Sequence, residues 1–167
     1  MANLFAKVVA AIAQYPDKNA VDAYANGVNW REYKPVDGTR KMLVANRIYI
    51  GKLAKLYDYV LIGSNGTNDR FSIAIFRDFD PQAFKDGLKG VFSVKAKPSN
   101  TSKSSAGMVN KKFEVYDLLD GEKQVGLLVM TYCTADSIDG SGTVGFISEA
   151  YANKKGFLIP QVNCRLK

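Results

Sequence analysis

No histidine occurs among the 167 residues of this chain. The side chain best matched to proton transfer near neutral pH, and the commonest metal ligand, is therefore missing. Ser-His-Asp and Cys-His nucleophilic chemistry have no internal base to work with. What remains for chemistry is carboxylate, lysine, tyrosine and two cysteines, so each constellation of these has to be weighed on spacing.

Asp78-Phe79-Asp80 puts two carboxylates on one side of an extended segment, as in some calcium loops. A hard cation wants about six or more oxygens, and only Asp58 and Asp69 offer themselves as further donors. Asp80 followed by Pro81 is better explained as a helix cap with proline in the first turn. Glu114, Asp117 and Glu122 could supply the paired carboxylates of a glycosidase, but they fall on an expected exposed hairpin rather than in a cleft. Gly140-Ser141-Gly142-Thr143-Val144-Gly145 fits G-x-G-x-x-G. A dinucleotide fingerprint also needs a strand running straight into the glycines and an acidic residue about 20 positions on. Here polar residues 134–139 intervene and Arg165 stands where the acid should be, so a glycine turn is expected. Cys133 and Cys164 are too few for a zinc site, and two buried, reduced thiols are expected over a bridge. Lysine and tyrosine would need strong pKa shifts by burial to act as nucleophile or base. No catalytic residue, metal or cofactor is assigned.

Charge is the pattern that stands out. The formal charge is +7, and it is segregated along the chain. Residues 85–113 carry seven lysines against Asp86 alone, while 114–149 carry seven carboxylates against Lys123 alone. Such blocks suit an acidic partner or head-to-tail contacts between copies, with charge orienting the encounter more than tightening it. The partner-binding residues read from this block are Lys95, Lys97, Lys103, Lys111 and Lys112. A second basic group, Arg40, Lys41, Arg47 and Lys52, interleaves with Tyr49 and Tyr57 and could serve single-stranded nucleic acid. Tyrosines in strands more often pack against cross-strand neighbours than stack on bases.

The elements that must position these groups follow from periodicity. Leu4, Phe5, Val8, Ile12 and Tyr15 recur at helical spacing over residues 3–15, and Pro16 ends the helix. Residues 16–39 are mixed, with Trp30 and Tyr33 as anchors. Strands are expected at 42–50, 56–62, 71–76 and 91–94, with a loop at 63–69 and a short helix from Pro81 to Leu88 ending at Gly90. Polar residues 95–112 read as a mobile basic loop. Residues 113–119 and 123–133 flank Asp120-Gly121, a type I′ hairpin signal. Alternating apolar residues on both faces make 123–133 the expected central strand. After a loop at 134–142, a helix at 144–155 and a last strand at 157–164 are expected.

The fold expected is α+β and β-rich: a single domain with a mostly antiparallel sheet of six to seven strands, an N-terminal helix and one or two short helices. An α/β arrangement is the alternative, because 124–164 could form a strand–helix–strand unit. The apolar runs, about six residues at most, fall far short of the roughly 20 that span a bilayer. Ala11-Ile12-Ala13 resembles a signal-peptidase site, yet no basic residue precedes Lys7 and Lys7 interrupts the apolar run. A cytoplasmic or particle-bound location is expected over secretion. Function is expected to be structural: a non-enzymatic subunit of a larger complex, a viral or phage particle being compatible, that binds an acidic protein or its own copies. A single-stranded nucleic-acid-binding protein is the alternative, and a small enzyme without histidine chemistry the third reading.

Overall fold

Period-two alternation of apolar residues builds most of the structure. The computed structural model describes residues 2–14, 20–33, 47–52, 59–64, 70–96, 111–134, 140–148 and 164. Eight strands, β1 (Arg31–Glu32), β2 (Arg47–Lys52), β3 (Tyr59–Ser64), β4 (Arg70–Phe76), β5 (Ser93–Ala96), β6 (Lys111–Asp120), β7 (Lys123–Cys133) and β8 (Gly142–Ser148), form one sheet. Their lateral order is β1-β2-β3-β4-β8-β7-β6-β5, and every pairing is antiparallel. Two four-stranded meanders thus lie side by side, joined where β4 pairs with β8. The architecture is α+β and β-rich, as the alternation predicts.

Three helices, α1 (Ala2–Gln14), α2 (Ala20–Gly27) and α3 (Pro81–Leu88), cover one face. From α1, Phe5, Val8 and Val9 are buried; from α3, Phe84 and Leu88. They pack on Phe76, Leu128, Met130, Val144 and Phe146 of the sheet. Leu4, although at helical spacing with Phe5 and Val8, is 42% exposed, and Val9 takes the inward position. The start of α3 is as the Asp-Pro pair predicts. Asp80 Oδ1 accepts from the backbone N–H groups of Gln82 at 2.9 Å and Ala83 at 3.0 Å, satisfying two donors that have no partner inside the helix. The helix α2 is not predicted: its eight residues include only Val21 and Ala25 as buried apolar anchors, too short a stripe to read. Trp30 then fixes it to β2, its indole lying on Gly51 so closely that a Cβ there would stand 2.0 Å from the ring.

The opposite face of the sheet is buried too, around Ile48, Phe71, Ile73, Val115, Val129 and Ile147. Cys133, at the end of β7, is disulfide-bonded to Cys164, with 5.6 Å between Cα atoms. Strand alternation puts Cys133 on this second face, so the bridge brings buried Cys164 to it. Reduced thiols are expected from cysteine count alone; the bridge depends on tertiary proximity that the count does not carry.

Other expectations are corrected as well. The described residues alone form eight strands, against the six or seven expected. Residues 144–148 belong to β8 rather than to a helix, because Val144, Phe146 and Ile147 are buried by β4 and β7 on either side. Since β7 and β8 are antiparallel neighbours, the strand–helix–strand alternative does not form. The glycine motif is not a turn: Gly142, Val144 and Gly145 lie within β8, and Gly142 is held by the ring of Phe79, 2.3 Å from where a Cβ would sit. The hairpin turn is displaced by one residue, to Gly121-Glu122, because Asp120 pairs with Lys123. Gly121 has φ +62° while Glu122 does not share the left-handed region, the pattern of a type II′ rather than a type I′ turn. β7 is buried on both faces but lies beside the sheet's midline, which falls between β4 and β8. Both ends of the expected 95–112 loop are strand: Lys95 is in β5, and Lys111 and Lys112 begin β6. Residues 97–110, the strand expected at 157–163 and the segment 149–155 lie outside the described residues.

Candidate functional site

The half of the sheet that ends in β5 carries four of the five lysines in described strands, so the site is built from there. On the helix side, β6 alternation sets Glu114 and Tyr116 on one face, and pairing with β7 brings Tyr132 beside them. Tyr116 donates its hydroxyl to Glu114 Oε2 at 2.7 Å and Tyr132 donates to Glu114 Oε1 at 3.0 Å. Lys85 reaches down from α3 to within 3.3 Å of the Tyr116 hydroxyl and 4.0 Å of Glu114 Oε2, with its ammonium 5.5 Å from the Tyr116 ring centre. One carboxylate therefore takes two phenols and faces one ammonium.

What this cluster can do chemically follows from its electrostatics. Burial, then the hydrogen bond to Glu114, then the negative charge of Glu114 push both phenols well above their ordinary range. A catalytic tyrosine needs the opposite shift, toward phenolate near neutrality. Both phenols stay protonated and serve as donors, and the cluster ties α3 to β6 and β7. The glycosidase pairing dissolves in the same way, since Glu114 has both oxygens engaged and is half-buried. Glu114 and Tyr116 are brought together by alternation within β6, but Tyr132 joins only through the register of the hairpin and Lys85 only through the packing of α3.

The five sequence-predicted lysines fall into two groups. Lys97 and Lys103 lie outside the described residues. Lys95 is exposed on β5, opposite Asp117 of β6. Lys111 and Lys112 open β6, opposite Cys133 and Tyr132. By alternation Lys95 and Lys111 share the face away from the helices, whereas Lys112 stands on the helix face. Asp117, the residue opposite Lys95, is six positions from Lys111, about 20 Å along the strand. The structure spreads these charges along an edge rather than gathering them into a patch. Lys95, Lys111 and Lys112 form no ion pair with any described residue.

Between the start of β5 and the β6–β7 turn lies a surface groove of about 380 Å³, lined by Lys89, Val91, Phe92, Ser93, Val94 and Gly121. Lys89 is exposed and bonds Asp86 at 2.6 Å. Val91 is 37% exposed while Phe92 is buried, giving the groove an apolar floor. A smaller hollow of about 190 Å³ at the start of α3 is lined by Phe76, Phe79 and Phe84 with Asp78 and Asp80 at its rim. Its three rings pack on one another at 5.4–5.6 Å between centres.

The second basic group is not assembled among the described residues. Arg40 and Lys41 lie outside them, and Arg47 and Lys52 stand at opposite ends of β2. Tyr49, between them, is buried and donates its hydroxyl to Asp22 at 3.0 Å. It packs as strand tyrosines usually do, with no open ring for a base. Among the described residues there is no group of three or more cysteines and carboxylates arranged to hold a metal ion, and no helix is long and apolar enough to cross a membrane. No family model matches this chain, and no match is found among the curated proteins or the solved structures.

Proposed function

We propose that this chain is a non-enzymatic assembly subunit that recognises an acidic stretch of a partner protein through the β5–β6 edge. The observation carrying the reading is Lys95: exposed, on the outermost described strand, free of any ion pair with a described residue, and next in sequence to Val94 of the groove. Lys111 and Lys112 extend the same edge in positive charge, and the opposing carboxylates nearby are already committed. Glu114 holds two phenols, and Asp117 accepts from Gln124 at 3.0 Å. Charge arranged in this way selects partners and speeds encounter, with weaker effects on lifetime.

The test is a fluorescence-anisotropy titration with a labelled oligoglutamate peptide, with a single-stranded oligonucleotide as comparison. The peptide is expected to bind, to weaken as salt rises, and to lose at least about ten-fold in affinity when Lys95, Lys111 and Lys112 are all changed to glutamate. Tight, salt-sensitive binding of the oligonucleotide with none of the peptide would replace this reading with a nucleic-acid one. Light scattering on the free protein separates self-association, since growth in mass with concentration would make a second copy the partner.

A further inference from the structure

We propose that β5 is a docking strand: an extended segment of the partner adds to its open edge, with carboxylates and apolar residues alternating along the segment. The proposal rests on the acidic-partner reading and specifies how that partner is held. β5 is hydrogen-bonded to β6 on one side, and no described strand lies on the other. In an antiparallel pair every second residue turns its N–H and C=O away from its neighbour, so part of the backbone of Ser93–Ala96 has no strand partner among the described residues.

The two faces of β5 dictate what an incoming strand must look like. Val94 pairs with Leu118 and shares the helix-side face, where Val91 and Phe92 floor the groove. Lys95 and Ser93 are exposed on the opposite face. A strand laid alongside has the same two-residue period, so its apolar side chains meet Val94 while its alternate side chains meet Lys95. A carboxylate opposite Lys95 is favourable; another lysine there, or a bare apolar strand, is not. A short edge strand carrying lysine is a common guard against indiscriminate strand pairing. Here the guard becomes a selector, because an acidic strand turns the repulsive element into an attractive one.

The occupant is a different protein rather than a second copy. Among the described residues, Glu114, Asp117 and Asp120 sit on β6, already flanked by β5 and β7, and Glu122 sits on the two-residue turn that follows it. Neither can lie down as a separate strand. At the other edge β1 has only two residues, Arg31 and Glu32, of opposite charge.

The experiment uses the full chain and a labelled peptide of about eight residues that alternates glutamate and valine. Comparison peptides carry N-methyl groups on the backbone amides of one alternate set or of the other, which removes donors without touching charge. Expected are binding of the alternating peptide, a loss of about ten-fold for Lys95→Glu, and a similar loss for one N-methylated set but not the other. Lys95→Glu sets a second carboxylate opposite Asp117, a repulsive cross-strand pair, so the neutral Lys95→Gln is read beside it, with thermal unfolding confirming that both variants keep the fold. If both N-methylated peptides bind like the parent while Lys95→Glu still weakens binding, strand addition is refuted and the charge reading survives. If Lys95→Glu changes nothing, both fail. Backbone chemical shifts moving at Arg31 and Glu32 instead of Ser93–Ala96 would also overturn the proposal.

Discussion

Breaking the Cys133–Cys164 bridge should cost this protein a large share of its stability. The bridge closes a loop of 31 residues. In the chain-entropy treatment a closed loop of about that length restricts the unfolded ensemble by about 3.5 kcal/mol at room temperature. For a domain of this size each kcal/mol corresponds to roughly 2–4 °C in melting temperature, so the midpoint should fall by about 10 °C. Two perturbations keep the reading clean. Reduction of the wild-type protein removes the bond without removing atoms, and the double variant Cys133→Ala/Cys164→Ala removes it permanently. Urea and thermal unfolding of the oxidised, reduced and double-variant forms would be compared, with alkylation and mass measurement confirming the state of the sulfurs. Reduced and double-variant forms should agree to within about 1 kcal/mol, the remainder being lost packing around buried Cys164. If the oxidised and reduced proteins unfold together, or alkylation finds both thiols free in the protein as isolated, the bridge is not the tether described.

Three further perturbations test separate parts of the structure. Gly51→Ala should destabilise by about 1–3 kcal/mol, because the new methyl group displaces the Trp30 indole from β2; urea unfolding measures it, with tryptophan fluorescence reporting the displacement. Ser72 is fully buried and its hydroxyl has no hydrogen-bond partner among the described residues, so Ser72→Ala should be neutral or stabilising by about 1 kcal/mol, and a clear loss in denaturant midpoint would reveal a partner. Tyr116 and Tyr132 ionise later folded than unfolded, so their contribution is complete below pH about 10, where unfolded phenols titrate. It is lost as pH climbs from there toward the raised folded values. Ultraviolet titration should show Tyr116 and Tyr132 ionising only as the protein unfolds, and Glu114→Gln should bring them earlier by removing the carboxylate that, after burial, raises them most.

Much of this architecture is legible in residue order because alternation and capping are local. Asp80-Pro81 states its helix outright, and the apolar alternation of 123–133 states a strand buried on both sides. What is not legible is non-local. Residues 144–148 read equally as helix or strand until β4 and β7 close on them, since a short apolar run carries no decisive period. The Glu114 cluster is hidden for a sharper reason. A turn centred on Asp120-Gly121 pairs Leu119 with Glu122 and sets Glu114 opposite Leu127. The turn at Gly121-Glu122, with the irregularity between Leu118 and Leu119, sets it opposite Met130 instead. That three-residue slip reverses the facing of β7, and only the second register brings Tyr132 to the carboxylate. The five lysines are visible as a charge block, but their division between two faces of one edge depends on strand limits that composition does not mark.

Hydrogen exchange at β5 tests the central claim most directly. With the alternating glutamate–valine peptide bound, amides of Ser93–Ala96 that exchange freely in the isolated protein should become protected, and Lys95→Glu should abolish the protection. Unchanged exchange along β5 at saturating peptide, or protection confined to another part of the sheet, would contradict it.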